Sequence, residues 1–321
     1  MDYEYIDCID AGTRFCPCSL AETGECILCS CLRGEKFCDC INWKGVCIYG
    51  EFINNGQKSK NGRESYKCLI ENKISRENVF YLKVSVPHSL AGELTYVGSF
   101  VFIRNEKFDN YYDTPISILE VNTEEDYIEL GIELRGTKTK AIDLSEKELI
   151  IRGPYWNGIF GIKKINSLKE KRALIITNGI GIIPAIPLIK KLTENGNHII
   201  LISDTSNLDL SYVKSKIKNY NIKEIYLNIF SNGNLTEEFV NILNKYKEDT
   251  DLIHVSAQDI IILRISDLIS DKSFTCCNNA KMCCGEGGCG ACSARFSGHK
   301  VKKLCKLQIE PKYLFRERRL I

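Results

Sequence analysis

Residues 283–292 read CCGEGGCGAC, and a further cysteine, Cys305, follows with twelve residues between it and Cys292. Cys284, Cys289, Cys292 and Cys305 are therefore spaced C-x4-C-x2-C-x12-C. The first intervals are those of the plant-type [2Fe–2S] loop, in which thiolates hold two irons. Gly285, Gly287, Gly288 and Gly290 fit that chemistry, because a loop around a cluster turns sharply and aims backbone N–H groups at sulfur. Zinc is the alternative, but its thiolate sites normally come as two short C-x2–4-C pairs, and this stretch has one. Cys283 would change the interval to C-x5-C and is read as a spare. Cys276 and Cys277 find no matching partners and read as small buried residues.

A second group of nine cysteines lies at the other end: Cys8, Cys16, Cys18, Cys26, Cys29, Cys31, Cys38, Cys40 and Cys47. Nine thiols supply two four-ligand sites with one left over, and Cys31 is the one set aside. The spacing is not the C-x2-C-x2-C run of bacterial ferredoxins. The first histidine is His88, so any site here is all-thiolate. [4Fe–4S] clusters are expected, with structural zinc as the alternative and free thiols as the remainder. A segment this short buries little core, so metal ligation is expected to fold it.

These ends flank ordinary globular sequence. The chain has 321 residues, 44% apolar and 26% charged, and a formal net charge of +2. That balance argues against a general nucleic-acid binder, and no apolar run is long enough to span a bilayer. The acidic start, MDYEYIDCID, lacks the basic and apolar regions of a signal peptide. Clustered cysteines without disulfide context fit a reducing compartment, so a cytoplasmic location is expected.

Two kinds of element must position the chemistry. NVFYLKVSVP, GSFVFIRN and DYIELGIEL are short β-branched and aromatic runs, predicting an antiparallel barrel over roughly residues 64–152. From Arg172 the pattern alternates: RALIITNGIGIIPAIPLIKKLTENG is strand, glycine turn and helix, and HIILISD, KEIYLNIF and DLIHVSA are further strands separated by helical stretches. Alternation of this kind predicts a parallel sheet covered by helices, with ligands at the carboxyl ends of its strands. The turn Asn178–Pro184 lies at one such end, where Gly179 and Gly181 let backbone approach a nucleotide.

The order of parts resembles the ferredoxin–NADP reductase superfamily, and within it the electron-transfer subunits of dihydroorotate dehydrogenase and the small subunit of NADH-dependent ferredoxin:NADP oxidoreductase. VGSFVFI (97–103) resembles the family's PGQFV strand, TPISI (114–118) its RPxSI flavin segment and RGTKT (135–139) its GT turn at the FAD pyrophosphate. GPYWNGIF (153–160) is similar to the interdomain GPLGNGF, and NGIGIIP to the nicotinamide turn GGIGxxP. The resemblance implies an α+β multidomain chain: an N-terminal Cys-rich module (1–48), an FAD-binding antiparallel β-barrel (49–152), an NAD-binding parallel α/β domain (153–275) and a [2Fe–2S] segment (276–321). It implies FAD on Pro115, Ile116, Ser117, Gly136 and Thr137, NAD(H) on Gly179, Gly181, Ile182 and Pro184, and [2Fe–2S] on the four C-terminal thiols. It further implies an NAD(P)H-dependent oxidoreductase subunit that passes electrons to a partner flavoprotein. That partner would be of the glutamate synthase small-subunit type or a dihydroorotate dehydrogenase catalytic subunit, with ferredoxin as a further partner and electron bifurcation within the family's range. The rival readings are a stand-alone NADH-dependent reductase and a non-enzymatic iron–sulfur carrier or sensor.

Two departures stand out. Asp113 and Thr114 occupy the place of the arginine before Pro-x-Ser, so Arg104, Arg135 or a neighbour must supply the cation that faces FAD phosphates. VSAQD stands where the family has CGP. Asp204 ends a strand where a ribose-binding carboxylate would sit, or serves as a cap. The four histidines, His88, His198, His254 and His299, read as structural. The basic tail, from His299 through Lys300, Lys302, Lys303, Lys306, Lys312, Arg316, Arg318 and Arg319, reads as a solvated face or as a dock for an acidic partner.

Overall fold

A computed structural model describes residues 6–38, 44–204, 208–269, 272, 274–296 and 300–317, excluding the side chains of residues 316 and 317. A short strand, β1 (Ile6–Cys8), precedes six barrel strands: β2 (Ser65–Arg76), β3 (Val79–Ser85), β4 (Phe100–Arg104), β5 (Thr114–Asn122), β6 (Tyr127–Glu133) and β7 (Glu148–Tyr155). They close in the order β2-β3-β6-β5-β4-β7, with antiparallel pairing throughout. Strand alternation sends Leu82, Val84, Val101, Ile103, Ile128, Leu130, Ile132, Leu149 and Ile151 into one core, and the helix His88–Leu94 covers it with Leu90, Ala91 and Leu94. Each such side chain contributes about 1.5–3 kcal/mol by leaving water, which makes the barrel a rigid platform.

The second unit is a sheet of six strands ordered β11-β10-β9-β14-β15-β8. Its members are β8 (Ile159–Phe160), β9 (Arg172–Asn178), β10 (His198–Asp204), β11 (Ile222–Tyr226), β14 (Leu252–Ser256) and β15 (Phe274–Cys277), with a hairpin of β12 (Phe230–Ser231) and β13 (Asn234–Leu235) between. All pairings are parallel except β8, which runs antiparallel along the edge. Buried runs such as Ala173–Ile176 and Leu252–Val255 reflect a sheet covered on both faces. The helix Ile182–Glu194 follows β9 and buries Ile182, Ile183, Ala185, Ile186, Leu188, Ile189 and Leu192.

The two cysteine-rich ends are not separate appendages. After the cluster loop come the hairpin β16 (Ser293–Arg295) and β17 (Val301–Lys303), then β18 (Leu307–Ile309). Strand β18 pairs antiparallel with β1, in the register Ile6↔Ile309, Asp7↔Gln308, Cys8↔Leu307. The chain's ends thus form one ladder, which places Cys8 opposite the residue two beyond Cys305. No helix of the described residues is long and apolar enough to cross a membrane.

Candidate functional site

The C-terminal loop makes three left-handed turns, with φ of +70° at Gly285, +82° at Gly287 and +77° at Gly290. They fold the backbone around Cys284, whose Sγ accepts from the N–H groups of Glu286 (3.3 Å) and Cys289 (3.4 Å). Cys305 donates to Cys292, and that hydrogen bond draws the Cys292 thiol down to about 6. The same bond, with burial behind it, pushes Cys305 well above its ordinary value. Burial works to raise Cys289, but the backbone N–H of Ala291 and its other donors outweigh it, and the thiol lies below its ordinary value. Cys292 and Cys305 are buried, Cys284 is half-buried and Cys289 is exposed. The hairpin β16–β17 brings Cys305 back to the loop, a closure its distance in sequence does not itself specify. N–H groups aimed at the Cys284 sulfur, the Cys289 and Cys292 thiols drawn toward thiolate and one exposed edge fit a two-iron cluster. Among the described residues no three Cys, His, Asp or Glu side chains meet at one point; a two-iron cluster takes two thiolates per iron and does not ask for that.

A Cβ on Gly285 would lie 2.4 Å from Cε1 of Tyr155 and 2.9 Å from the ring of Phe102. The loop therefore rests directly on barrel strands β7 and β4. Gly285→Ala combines this overlap, worth roughly 1–3 kcal/mol, with a left-handed φ, worth roughly 1–2 kcal/mol. Thermal or denaturant unfolding of that variant is expected to show a loss of about 2–5 kcal/mol; wild-type stability would mean the loop is not seated on these rings.

Beneath the loop lies a buried network of charges. Arg63 donates to Asp10 through both terminal nitrogens (2.7 and 3.0 Å), to Glu286 Oε2 (2.9 Å) and, from Nε, to the Pro154 carbonyl (2.6 Å). Lys306 Nζ donates to Asp10 and to Glu286 Oε2, the latter at 2.9 Å. Tyr155 donates to Glu286 Oε1 at 3.0 Å. Burial by itself would raise Asp10 and Glu286, but Lys306 and Arg63 outweigh it and hold both below the usual carboxylate range. Lys306 corrects the reading of the basic tail as a solvated face: it is fully buried. Pairing of β18 with β1 carries it inward, and two carboxylates stabilise its charge there. His299, Arg318 and Arg319 lie outside the described residues, as do the side chain of Arg316 and Cys40 of the N-terminal group.

At the N-terminus, Cys8, Cys16, Cys18 and Cys26 line one cavity together with Leu20, Ala21, Ile27 and Ile48. Cys29 neighbours Cys26 and Cys31, while Cys38 and Cys47 are exposed. Cys47 caps the helix Ile48–Asn54 by accepting from the Gly50 N–H at 3.3 Å. Leu20 reaches the cluster loop, where a Cβ on Gly287 would lie 2.9 Å from its Cγ.

The flavin-like segments converge on the same face of the barrel. Pro115 is exposed and Ile116 buried on β5, with Ser117 half-buried; Gly136 and Thr137 are exposed. Lys138 joins the two segments by donating to the carbonyls of Tyr111 and Asp113, and lies 4.8 Å from the exposed ring of Tyr111. Asp113 is fully buried and bound by Arg104 (3.0 Å) and by Arg152 Nε (2.8 Å). Two arginines thus bracket this one carboxylate, and Arg152 also faces Glu286 at 3.9 Å. Arg104 bonds Asp113 and the Phe108 carbonyl, whereas Lys138 bonds backbone carbonyls. The residues fit an anionic dinucleotide. Arg152 also donates to the Cys284 carbonyl at 2.9 Å, tying this site to the cluster loop.

In the α/β unit the turn after β9 is short 3-10 helix from Gly179 to Gly181, with φ of +56° at Gly179. A Cβ on Gly181 would lie 2.2 Å from the Ser256 carbonyl, so the nicotinamide-like turn presses against the end of β14, where SAQ replaces CGP. Ile182 is buried and Pro184 lies in the first turn of the following helix, where its missing N–H costs no helical hydrogen bond. Asp204 is buried and accepts from the Ile229 N–H (2.9 Å) and the Asn178 amide (3.2 Å), a structural role. His254 bonds Thr275 at 2.9 Å, and burial holds its imidazole neutral, down to about 3.

Strand order, closed barrel and parallel sheet superpose on the NADH-dependent reduced ferredoxin-NADP oxidoreductase with a TM-score of 0.59, covering 78% of this chain and 89% of that one at 19% identity. The chain has the ferredoxin–NADP reductase fold. Phthalate dioxygenase reductase, which carries electrons from pyridine nucleotides to [2Fe–2S], shares that fold with a TM-score of 0.50 over 76% of this chain and 95% of its own, at 9% identity. In sequence, this ferredoxin–NADP reductase-like chain is similar to the electron transfer subunit of dihydroorotate dehydrogenase B from Bacillus cereus. The two are 24% identical over 245 residues, which is 74% of this chain and 92% of the relative. The subunit from Fusobacterium nucleatum is also 24% identical, over 233 residues, 70% of this chain and 87% of the relative. No family model matches the chain.

Proposed function

We propose that this chain is an electron-transfer subunit linking NAD(H) to a partner oxidoreductase subunit. FAD would lie on the barrel at Pro115–Ser117 and Gly136–Lys138, and NAD(H) at the Gly179–Pro184 turn. A [2Fe–2S] cluster would sit on Cys284, Cys289, Cys292 and Cys305. One observation carries the reading: Arg152 holds Asp113 of the flavin-like segment with one nitrogen and the Cys284 carbonyl with another. A bound flavin exchanges electrons singly or in pairs, which lets hydride chemistry feed a one-electron cluster.

The chain's own residues then have distinct tasks. Lys138, Arg104 and Arg152 keep the flavin face electropositive. Tyr155 and Phe102 fill the space between barrel and cluster loop, excluding water from it. Glu286, Arg63 and Lys306 hold the loop to the barrel without a net charge imbalance from Asp10. The exposed edge at Cys289 leaves one side of the loop open to a partner. Relatives named as subunits of dihydroorotate dehydrogenase support a partner oxidoreductase of that type. The N-terminal thiols extend the reading to further iron–sulfur clusters.

The test is anoxic purification of the full chain. A flavin spectrum that NADH bleaches, together with the bands of a [2Fe–2S] cluster, is the expected result. A chain that takes up no flavin after incubation with FAD would overturn the reading in favour of an iron–sulfur carrier. Full turnover on a diffusible acceptor by the chain alone would favour a stand-alone reductase.

A further inference from the structure

We infer that Cys8, Cys16, Cys18 and Cys26 together hold one [4Fe–4S] cluster, separate from the other N-terminal thiols. The inference rests on the reading of the N-terminal module as iron–sulfur binding and deepens it by naming the ligands.

The four come from three different pieces of chain: Cys8 from the end of β1, Cys16 and Cys18 from the loop that follows, and Cys26 from beyond the helix Ser19–Glu22. Yet all four line one cavity, whose other walls are Asp10 and the apolar residues Ala11, Pro17, Leu20, Ala21, Ile27, Leu28 and Ile48. The cavity is tight, about 20 Å³, so loading it moves thiols outward.

Geometry favours a cluster over zinc. A single zinc draws four sulfurs to about 2.3 Å from one point. Among the described residues no group of three or more Cys, His, Asp or Glu is set to hold a single metal ion; the four thiols line a cavity, and a cubane meets each thiolate at its own iron. Lys306, fully buried, bonds both Asp10, which lines this cavity, and Glu286 of the C-terminal loop, so one charge network joins the two cysteine groups. Leu20 is shared as well: it walls the cavity and touches Gly287 of the cluster loop. The proposed cluster is therefore the immediate neighbour of the C-terminal one.

The experiment uses the full chain, reconstituted anoxically with iron and sulfide. Iron is counted and the reduced chain is examined by electron paramagnetic resonance. Cys16→Ser and Cys26→Ser should each lose about four irons per chain, and the double variant should lose no more than either alone. Cys68→Ser, in the barrel core, is the control and should lose none. Retention of the full iron count by either single variant, or additive losses in the double, would overturn the assignment. So would zinc in place of iron in the wild type. Persistence of the slowly relaxing [2Fe–2S] signal shows that the variants fold. For a variant that does not fold, Cys292→Ser serves instead: with the C-terminal cluster removed, the remaining signal must be the fast-relaxing one of a cubane, and its absence refutes the proposal. Loss of the [2Fe–2S] signal or of flavin in the wild type counts only against the electron-transfer reading, because the N-terminal iron is measured independently.

Discussion

Asp10→Ala is expected to destabilise the chain by about 3–5 kcal/mol, because it leaves two buried cations without their shared partner. Arg63 and Asp10 are each 1% exposed at the side chain, as is Lys306, so solvent offers little compensation. Glu286 would remain as the sole anion facing both. Denaturant unfolding measures the loss, and Lys306→Met in the same background should recover part of it by removing the unpaired charge. A loss below about 1 kcal/mol, the worth of an exposed pair, would show the network to be solvated. The pH dependence has a definite sign. Asp10 and Glu286 are held below their ordinary values in the fold. Their contribution is therefore complete above the unfolded values of about 4 and is lost as pH falls through the lower folded ones. Asp10→Ala should flatten that acid limb.

Cys292→Ser is expected to remove the C-terminal cluster outright, with about two irons lost per chain, while Cys283→Ser retains them. Removing a supporting partner of a metal ligand typically costs 10–100-fold in affinity, and removing a buried ligand costs more. Cys292 is buried and shares a proton with Cys305, so serine, a poor thiolate substitute, leaves the pair without its anionic member. NADH should still bleach the flavin in this variant, but delivery of electrons to the partner should fall by more than about 10-fold. Equal loss in the Cys283 variant would mean that the ligand register begins one residue earlier.

Much of this was legible in the residues. Short β-branched and aromatic runs in β3, β4 and β6 and the uniform apolar runs of β9, β10 and β14 mark a barrel and a covered parallel sheet, since composition and burial are local properties. The strand β15, the hairpin β12–β13 and the helix Asp259–Leu268 escaped the reading, because short or uniformly apolar stretches carry no clear period. The spacing of Cys284, Cys289 and Cys292 is likewise local, and its glycines announce the left-handed turns found at 285, 287 and 290. Asp113 shows the limit. In sequence it removes a cation; in the fold it is bracketed by Arg104 from β4 and Arg152 from β7.

Residue order alone thus determined the kinds of element, the likeness of the C-terminal loop to a two-iron site and the place of the glycine turn after β9, all of which depend on neighbours within a few positions. Only the tertiary structure decided that the two cysteine-rich ends share one ladder and one set of buried charges, and that Lys306 lies between them rather than in solvent. The reason is physical: pairing of β1 with β18 joins residues some 300 apart, and no local propensity encodes which distant strand edge or carboxylate a residue will meet.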